Sequence, residues 1–280
     1  MRILLTGSSG RVGAAIATLL SADHEVFGID RAPGPHTTHI GGINDRGLVD
    51  ELASRADAVV HTASLHAPHV GRVTDRTFVE TNVHGTEALL DACLRHGVQR
   101  FVYTSTTSLY GHALFPVDCA VWVTEDLVPR PRDIYDTTKI AAEEACRAAS
   151  GTSLTCVSLR IARCFPEPAE QVAIYRLHRG VDLRDVAEAH RLALTVDLPA
   201  FEFFNVAAAT PFAISDARHL FSDAATVIQH RIPWAAAAFE RRGWRLPRSI
   251  DRVYTIDKAR LMIGYRPRFN FDSLFATDVA

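Results

Sequence analysis

The sequence predicts an α/β fold, a doubly wound parallel sheet with a small C-terminal lobe, on three observations. Short apolar runs alternate with helical stretches through the first 160 residues. Strands that are apolar along their whole length belong to parallel sheets covered by helices on both faces. The chain opens on the apolar run Met1-Arg-Ile-Leu-Leu, which leads directly into Gly7, Gly10 and Gly13, spaced three apart. A carboxylate, Asp30, closes the next apolar run, Glu25-Val-Phe-Gly-Ile.

The glycines announce a strand, a tight turn and a helix, because Ala14-Ala-Ile-Ala-Thr-Leu-Leu20 follows at helical spacing. Glycine is needed where the backbone turns sharply and approaches a pyrophosphate, whose charge is met by the free N–H groups at the helix start. The expected cofactor contacts here are Gly7, Ser9, Gly10, Arg11, Val12 and Gly13. A carboxylate at the end of the second strand accepts hydrogen bonds from ribose hydroxyls and repels a 2′-phosphate, so Asp30 predicts NAD; Arg31 beside it is the one feature that favours a phosphate.

The remaining elements follow in order. A helix carrying Leu48, Leu52 and Ala53 precedes a third strand, Ala58-Val-Val-His61. Phe78 to Leu94, with Val79, Val83, Ala88, Leu89 and Ala92 at helical spacing, reads as one long helix ending near Gly97. Arg100 to Thr104 is the fourth strand, Tyr135 to Ala149 a helix and Leu154 to Leu159 another strand. Beyond Arg160 the order loosens: Asp185 to Val196 reads as a helix, Glu202 to Val206 as a strand and Ile214 to Phe221 as a short helix. The tail, with Pro233, Pro247, Pro267, Trp234, Trp244 and Tyr265, reads as an irregular lobe. Residues 1–160 are thus expected to form a Rossmann-type dinucleotide-binding domain, and residues 161–280 a small substrate lobe partly interleaved with the sheet.

Composition narrows the function. At 280 residues and 48% hydrophobic content the chain has material for a large core. A formal charge of −2 provides no field for nucleic acid or anionic membranes. No apolar run is long enough to span a bilayer, and the N-terminus does not read as a signal peptide. Cys93, Cys119, Cys146, Cys156 and Cys164 are scattered and odd in number, which points to reduced thiols in the cytoplasm. There is no HExxH pattern, and the pairs His36/His39 and His66/His69 read as loop histidines, so no metal is expected.

The chemistry is concentrated in Tyr135-Asp-Thr-Thr-Lys139, which places a phenol and an ammonium on one helical face. Upstream, Thr104-Ser-Thr-Thr-Ser108 puts hydroxyls just past the fourth strand, where open α/β sheets bind ligands. Hydride abstraction from a carbinol needs a base for the hydroxyl proton. Bringing a phenol from about 10 to neutrality costs roughly 4 kcal/mol, which nearby cations are expected to supply.

These residues, with Asp57-Ala-Val-Val-His-Thr-Ala-Ser64, Thr81-Asn-Val-His-Gly-Thr86, Tyr110-Gly111, Ser158-Leu-Arg160 and Gly264-Tyr-Arg-Pro267, make the chain resemble an extended short-chain dehydrogenase/reductase of the NAD-dependent epimerase/dehydratase family over most of its length. The resemblance implies Tyr135 as base, Lys139 as its partner and ribose ligand, and Thr106, with Ser105 as the neighbouring alternative, as the catalytic hydroxyl. It implies further cofactor contacts at Ile43, Thr62, Ala63, Ser64, Asn82, Thr104 and Ala162, and substrate contacts at His66, Thr106, Thr107, Arg163 and Arg184. It also implies a homodimer through helices spanning about 78–96 and 135–149.

Three departures stand out. Gly42-Ile43 replaces an acid–aliphatic pair at the adenine, Asp136 replaces the glycine after the tyrosine, and Asp182 follows Arg160 by only 22 residues, where relatives that act on nucleotide sugars carry a long insertion. The segment Arg160-Ile-Ala-Arg-Cys-Phe-Pro-Glu-Pro168 is similar to uronate dehydrogenases. The expected function is therefore NAD-dependent hydride transfer at a hydroxyl-bearing carbon of a sugar or sugar acid. The alternatives are a nucleotide-sugar 4-epimerase that retains its cofactor and an NAD-sensing protein without turnover. Dehydration is disfavoured by Thr107 and Ser108, which stand where dehydratases often have acids.

Overall fold

The computed structural model describes residues 1–276, so the last four residues of the expected 161–280 lobe lie outside the described residues. Seven parallel strands make one sheet in the order β3-β2-β1-β4-β5-β7-β8. They are β1 (Arg2–Thr6), β2 (Glu25–Asp30), β3 (Thr37–Ile40), β4 (Ala58–His61), β5 (Arg100–Thr106), β7 (Thr155–Ile161) and β8 (Phe201–Val206). The doubly wound sheet expected from the alternating pattern is present, and it takes its last strand from beyond residue 161. In this sheet one strand was missed: β3 pairs in parallel with β2, but Thr37-Thr-His-Ile alternates between half-buried and exposed positions at an edge, without an apolar run to mark it.

Strand β1 shows how the layers form. Ile3 and Leu5 enter the core on one face with Ile16, Ala17 and Leu20 of α1 (Arg11–Leu20), while Leu4 enters the core on the other with Val49 and Leu52 of α2 (Arg46–Ala53). That alternation is the two-residue period of a strand. The long helix expected over 78–94 is present and starts a little earlier: α3 (Asp75–Phe78) runs through a π-helical stretch at Val79–His84 into α4 (Gly85–His96), which Gly97 ends in the left-handed conformation at φ 71°. Wide turns of this kind inside helices often mark functional positions, and this one carries Asn82. Helix α5 (Ile134–Ala149) starts on an N-cap at Asp133, whose carboxylate accepts from the Asp136 N–H.

A second sheet is made of β6 (Val121–Val123) and β9 (Arg252–Tyr254), paired in parallel. The remaining helices are α6 (Ala169–His178), α7 (Leu183–Thr195), α8 (Ala217–Ser222), α9 (Ala224–Arg231), α10 (Ala235–Arg241) and α11 (Asp257–Met262). Helix α7 packs against α1 beside the main sheet. Helices α6, α8, α9 and α10 share a separate core with Phe212, Phe271 and Phe275. Trp234, Phe239, Phe271 and Phe275 stack there with ring centroids 4.9–6.1 Å apart.

Candidate active site

A cleft of about 680 Å³ opens at the carboxyl ends of β1, β4, β5 and β7. It lies where β1 is flanked by β2 on one side and β4 on the other, so the connections leave in opposite directions and a crevice is left between them. Gly7, Gly10, Arg11, Val12 and Gly13 line it at the start of α1. Two of these glycines are required by sterics. Gly7 holds φ +75°, and a Cβ there would stand 2.5 Å from Thr62 Oγ1; a Cβ on Gly13 would stand 2.1 Å from the Gly7 carbonyl oxygen.

Asp30 lines the same end. Its two oxygens accept from the Ser9 and Ala32 N–H groups, both at 3.0 Å, which holds the carboxylate at the end of β2. Arg31, Ile43, Thr62, Ala63, Ser64, Thr104 and Ala162 also line the cleft. Two expected cofactor residues do not. Ser9 turns its hydroxyl away, to the Ala32 carbonyl at 2.6 Å and Thr37 at 2.7 Å. Asn82 is buried: its Oδ1 accepts from Leu65 N at 2.7 Å, and its Nδ2 donates to Leu65 O and Thr138 Oγ1, both at 3.1 Å. It ties the loop after β4 to α5 and so shapes the cleft from behind.

At the other end of the cleft Tyr135 and Lys139 stand one turn apart on α5, both nearly inaccessible to solvent. Burial pushes the Tyr135 phenol above its ordinary value, and the Thr106 hydroxyl hydrogen-bonded to it pulls it back down. Burial lowers Lys139 to about 7, against the carboxylate of Glu143. The Lys139 ammonium donates to the Thr104 carbonyl at 2.7 Å and sits 4.3 Å from the Tyr103 ring centroid. The expected acidification of the phenol by Lys139 is therefore not visible in the protein's own groups: burial dominates Tyr135, and burial also lowers Lys139.

The hydroxyl cluster divides. Thr106 Oγ1 accepts from Ser108 N at 3.1 Å and faces the phenol. Ser105 also lines the cleft, but it donates to Glu143 at 2.5 Å, and Glu143 in turn pairs with Arg160 at 2.6 Å in the interior. Ser105 is thus committed to an internal network and Thr106 is not. Thr107 lines the cleft with its hydroxyl 3.5 Å from the Ile161 carbonyl. Asp136, unexpected after the tyrosine, is fully buried, accepting from Ser108 Oγ at 2.8 Å and pairing with Arg132 at 2.8 Å.

The expected substrate residues fare unequally. His66 stands exposed at the cleft wall. Arg163 reaches the cleft but is paired with Glu167. Arg184 does not line the cleft: it pairs with Asp182 at 2.8 Å and stacks on Phe269 at 3.3 Å, so the helix start of α7 keeps it. Asn44, Arg132, Arg179, Arg252 and Tyr254 line the cleft and were not singled out from the sequence. Asn44 follows the apolar Ile43 in the cleft wall, while the position of the missing acid is Gly42, which brings no side chain. Among the described residues, no group of three or more His, Cys, Asp or Glu side chains is placed to hold a metal ion.

Comparison with known proteins agrees with this fold. The model of the NAD dependent epimerase/dehydratase family matches residues 3–171. A dTDP-glucose 4,6-dehydratase of Streptomyces antibioticus is 30% identical over 97% of this chain and 89% of its own length. A 2-alkyl-3-oxoalkanoate reductase of Stenotrophomonas maltophilia is 34% identical over 63% of this chain and 54% of its own. A UDP-glucuronic acid 4-epimerase from Bacillus cereus, solved with UDP-glucuronic acid and NAD, shares the fold at TM-score 0.70 and 22% identity, covering 99% of this chain and 97% of that one. With a family model matching more than half of the chain, this protein belongs to the NAD-dependent epimerase/dehydratase family of extended short-chain dehydrogenases/reductases and is an NAD-dependent enzyme.

Proposed function

We propose that this enzyme withdraws hydride from a hydroxyl-bearing carbon of a sugar or sugar acid, in the manner of a uronate dehydrogenase. The observation that carries the reading is the placement of Tyr135, Thr106 and Lys139 together at one end of a cleft whose other end presents the start of α1 and Asp30. The N–H groups of Arg11, Val12 and Gly13 would hold the pyrophosphate, Asp30 the adenosine ribose hydroxyls and Lys139 the nicotinamide ribose. Bound NAD supplies the hydride acceptor and, in its oxidised form, a positive charge beside the phenol.

Tyr135, as phenolate, takes the proton of the substrate hydroxyl, and Thr106, near enough to the phenol to pull its pKa down, fixes the oxygen between them. Lys139 passes charge rather than substrate. Protonated, its ammonium one turn from Tyr135 and the oxidised nicotinamide would both favour the phenolate, the form that accepts the substrate proton, while the hydride goes to the cofactor. A small substrate is supported by the interval between β7 and α7, which holds only the ten-residue α6 and short loops and whose Arg163, Phe165 and Pro166 line the cleft. A nucleotide-sugar 4-epimerase that retains its cofactor is the second reading. The similarity to the dTDP-glucose dehydratase supports it, and so does the fold of the UDP-glucuronic acid 4-epimerase. We further propose that the protein is cytoplasmic, which the free cysteines Cys93, Cys119, Cys146, Cys156 and Cys164 support, and that it works as a homodimer through α4 and α5. No described helix is long and apolar enough to cross a membrane.

The test is incubation with NAD and a panel of hexuronates, aldoses and nucleotide sugars, following nicotinamide absorbance and product stereochemistry. Accumulation of NADH with a hexuronate or aldose supports the first reading. An epimerised nucleotide sugar without net NADH transfers the assignment to the second.

A further inference from the structure

The cleft is strongly asymmetric in charge. Among the described residues its walls carry six arginines and Lys139 but one carboxylate, Asp30, which sits at the end beside the glycine turn. Three of the arginines, Arg132, Arg179 and Arg252, come from parts of the chain far apart in sequence: the loop before α5, the end of α6 and the start of β9. Arg132 is paired with Asp136, the residue after Tyr135, which puts it at the Tyr135 end. Arg252 lies close enough to Arg132 to oppose its charge. Arg179 and Arg252 share one counterion, Asp251, at 3.8 Å from Arg179 and in closer contact with Arg252.

The carboxylates that orient these guanidinium groups stand behind the wall. Asp136 is fully buried beneath Arg132, and neither Asp136 nor Asp251 lines the cleft. Arg179 keeps a buried Nε with no hydrogen-bond partner while its guanidinium rests 4.2 Å from the Tyr175 ring centroid. Buried donors left unsatisfied are uncommon and costly. Guanidinium forks held from behind, with unspent donors, are suited to carboxylate or phosphate oxygens. Arg163, the arginine expected from the sequence to do this, is already paired with Glu167.

We propose that Arg132, Arg179 and Arg252 bind a negatively charged group, a carboxylate or a phosphate, on a small polyol whose reacting hydroxyl faces Tyr135. The assignment rests on the reading of the cleft as the substrate site and adds to it the substrate's charge and the side chains that sense it. It also gives a role to the small β6/β9 sheet, which carries Arg252 and Tyr254 to the cleft.

The experiment is a binding titration on the NADH-loaded protein, where the sugar hydroxyl cannot be oxidised and the outcome does not depend on turnover. The probes are glucuronate, glucose 6-phosphate, UDP and neutral glucose. The expected result is that glucuronate or glucose 6-phosphate binds at least tenfold more tightly than glucose; which of the two wins distinguishes carboxylate from phosphate. Arg252→Gln and Arg179→Gln should each remove roughly tenfold to hundredfold of that affinity, with NADH affinity and thermal midpoint held as the folding control. Arg132→Lys keeps Asp136 paired but loses the fork, and should weaken the anion while leaving glucose unchanged. Equal binding of anion and glucose, or an advantage that survives all three substitutions, overturns the proposal. UDP binding more tightly than both small anions overturns the small-substrate assignment. If no hydride transfer is found with any sugar but the anion preference holds, the proposed reaction fails and the anion site stands.

Discussion

Tyr135 and Lys139 could be read from the sequence because their relation is local: four residues on one helix place both on one face whatever the rest of the chain does. Arg132, Arg179 and Arg252 could not, since only the topology brings a pre-helix loop, a helix end and a strand of the second sheet to one wall. Burial decides the electrostatics, and spacing alone does not reveal it. Tyr135→Phe is expected to lower kcat by about 10²–10⁴-fold while NAD affinity is unchanged, the range for loss of a positioned acid–base group; steady-state rates and cofactor titration check both halves. Lys139 gives a signed expectation for stability. Its folded pKa, about 7, lies below its unfolded value near 10.5, so between those values the unfolded chain binds the extra proton and stability rises with pH. Below about pH 7 the cost of the buried ammonium is present in full. Lys139→Met removes this dependence, so the wild-type protein should gain on the variant from pH 7 toward pH 10, by at most about 1.4 kcal/mol per pH unit, in denaturant titrations.

Elements were legible in proportion to how much of their surface the core claims. Strands β1, β4, β5 and β7 are buried along most of their length and show as apolar runs. Strand β3 lies at an edge without such a run, and β6 and β9 are only three residues long, too short for their composition to mark them as strands. The wide π-helical stretch at Val79–His84 is continuous with the helices on either side, so the apolar period located the helix but not its local widening. That stretch presents Asn82 to Leu65 and Thr138, which joins the loop lining the cleft to the helix bearing Tyr135. Asn82→Ala leaves the Leu65 N–H and carbonyl without their partner, at a cost of about 1–3 kcal/mol for a buried polar group. The expected result is a lower thermal midpoint together with a raised KM for NAD. A midpoint that falls with KM unchanged would confine Asn82 to stability.

At the scale of the whole molecule, α4 and α5 lie side by side against the sheet, and α5 faces outward with Glu144, Arg147 and Ala148 exposed and Ala141 and Ala145 half-buried. Short side chains allow a second backbone to approach closely, so two copies meeting here would pack α4 and α5 against their counterparts about a twofold axis, as an isologous interface requires. The arrangement would also brace Tyr135 and Lys139, because both stand in the first half of α5, and stiffening that helix fixes their separation. Light scattering should therefore report twice the 30.8 kDa of the chain. Ala141→Arg and Ala148→Arg introduce long charged side chains on that face without disturbing the cleft, and are expected to yield a monomer that still binds NAD. A monomeric mass for the unaltered protein would remove the dimer, while leaving the assignment of Tyr135, Thr106 and Lys139 to be judged on turnover alone.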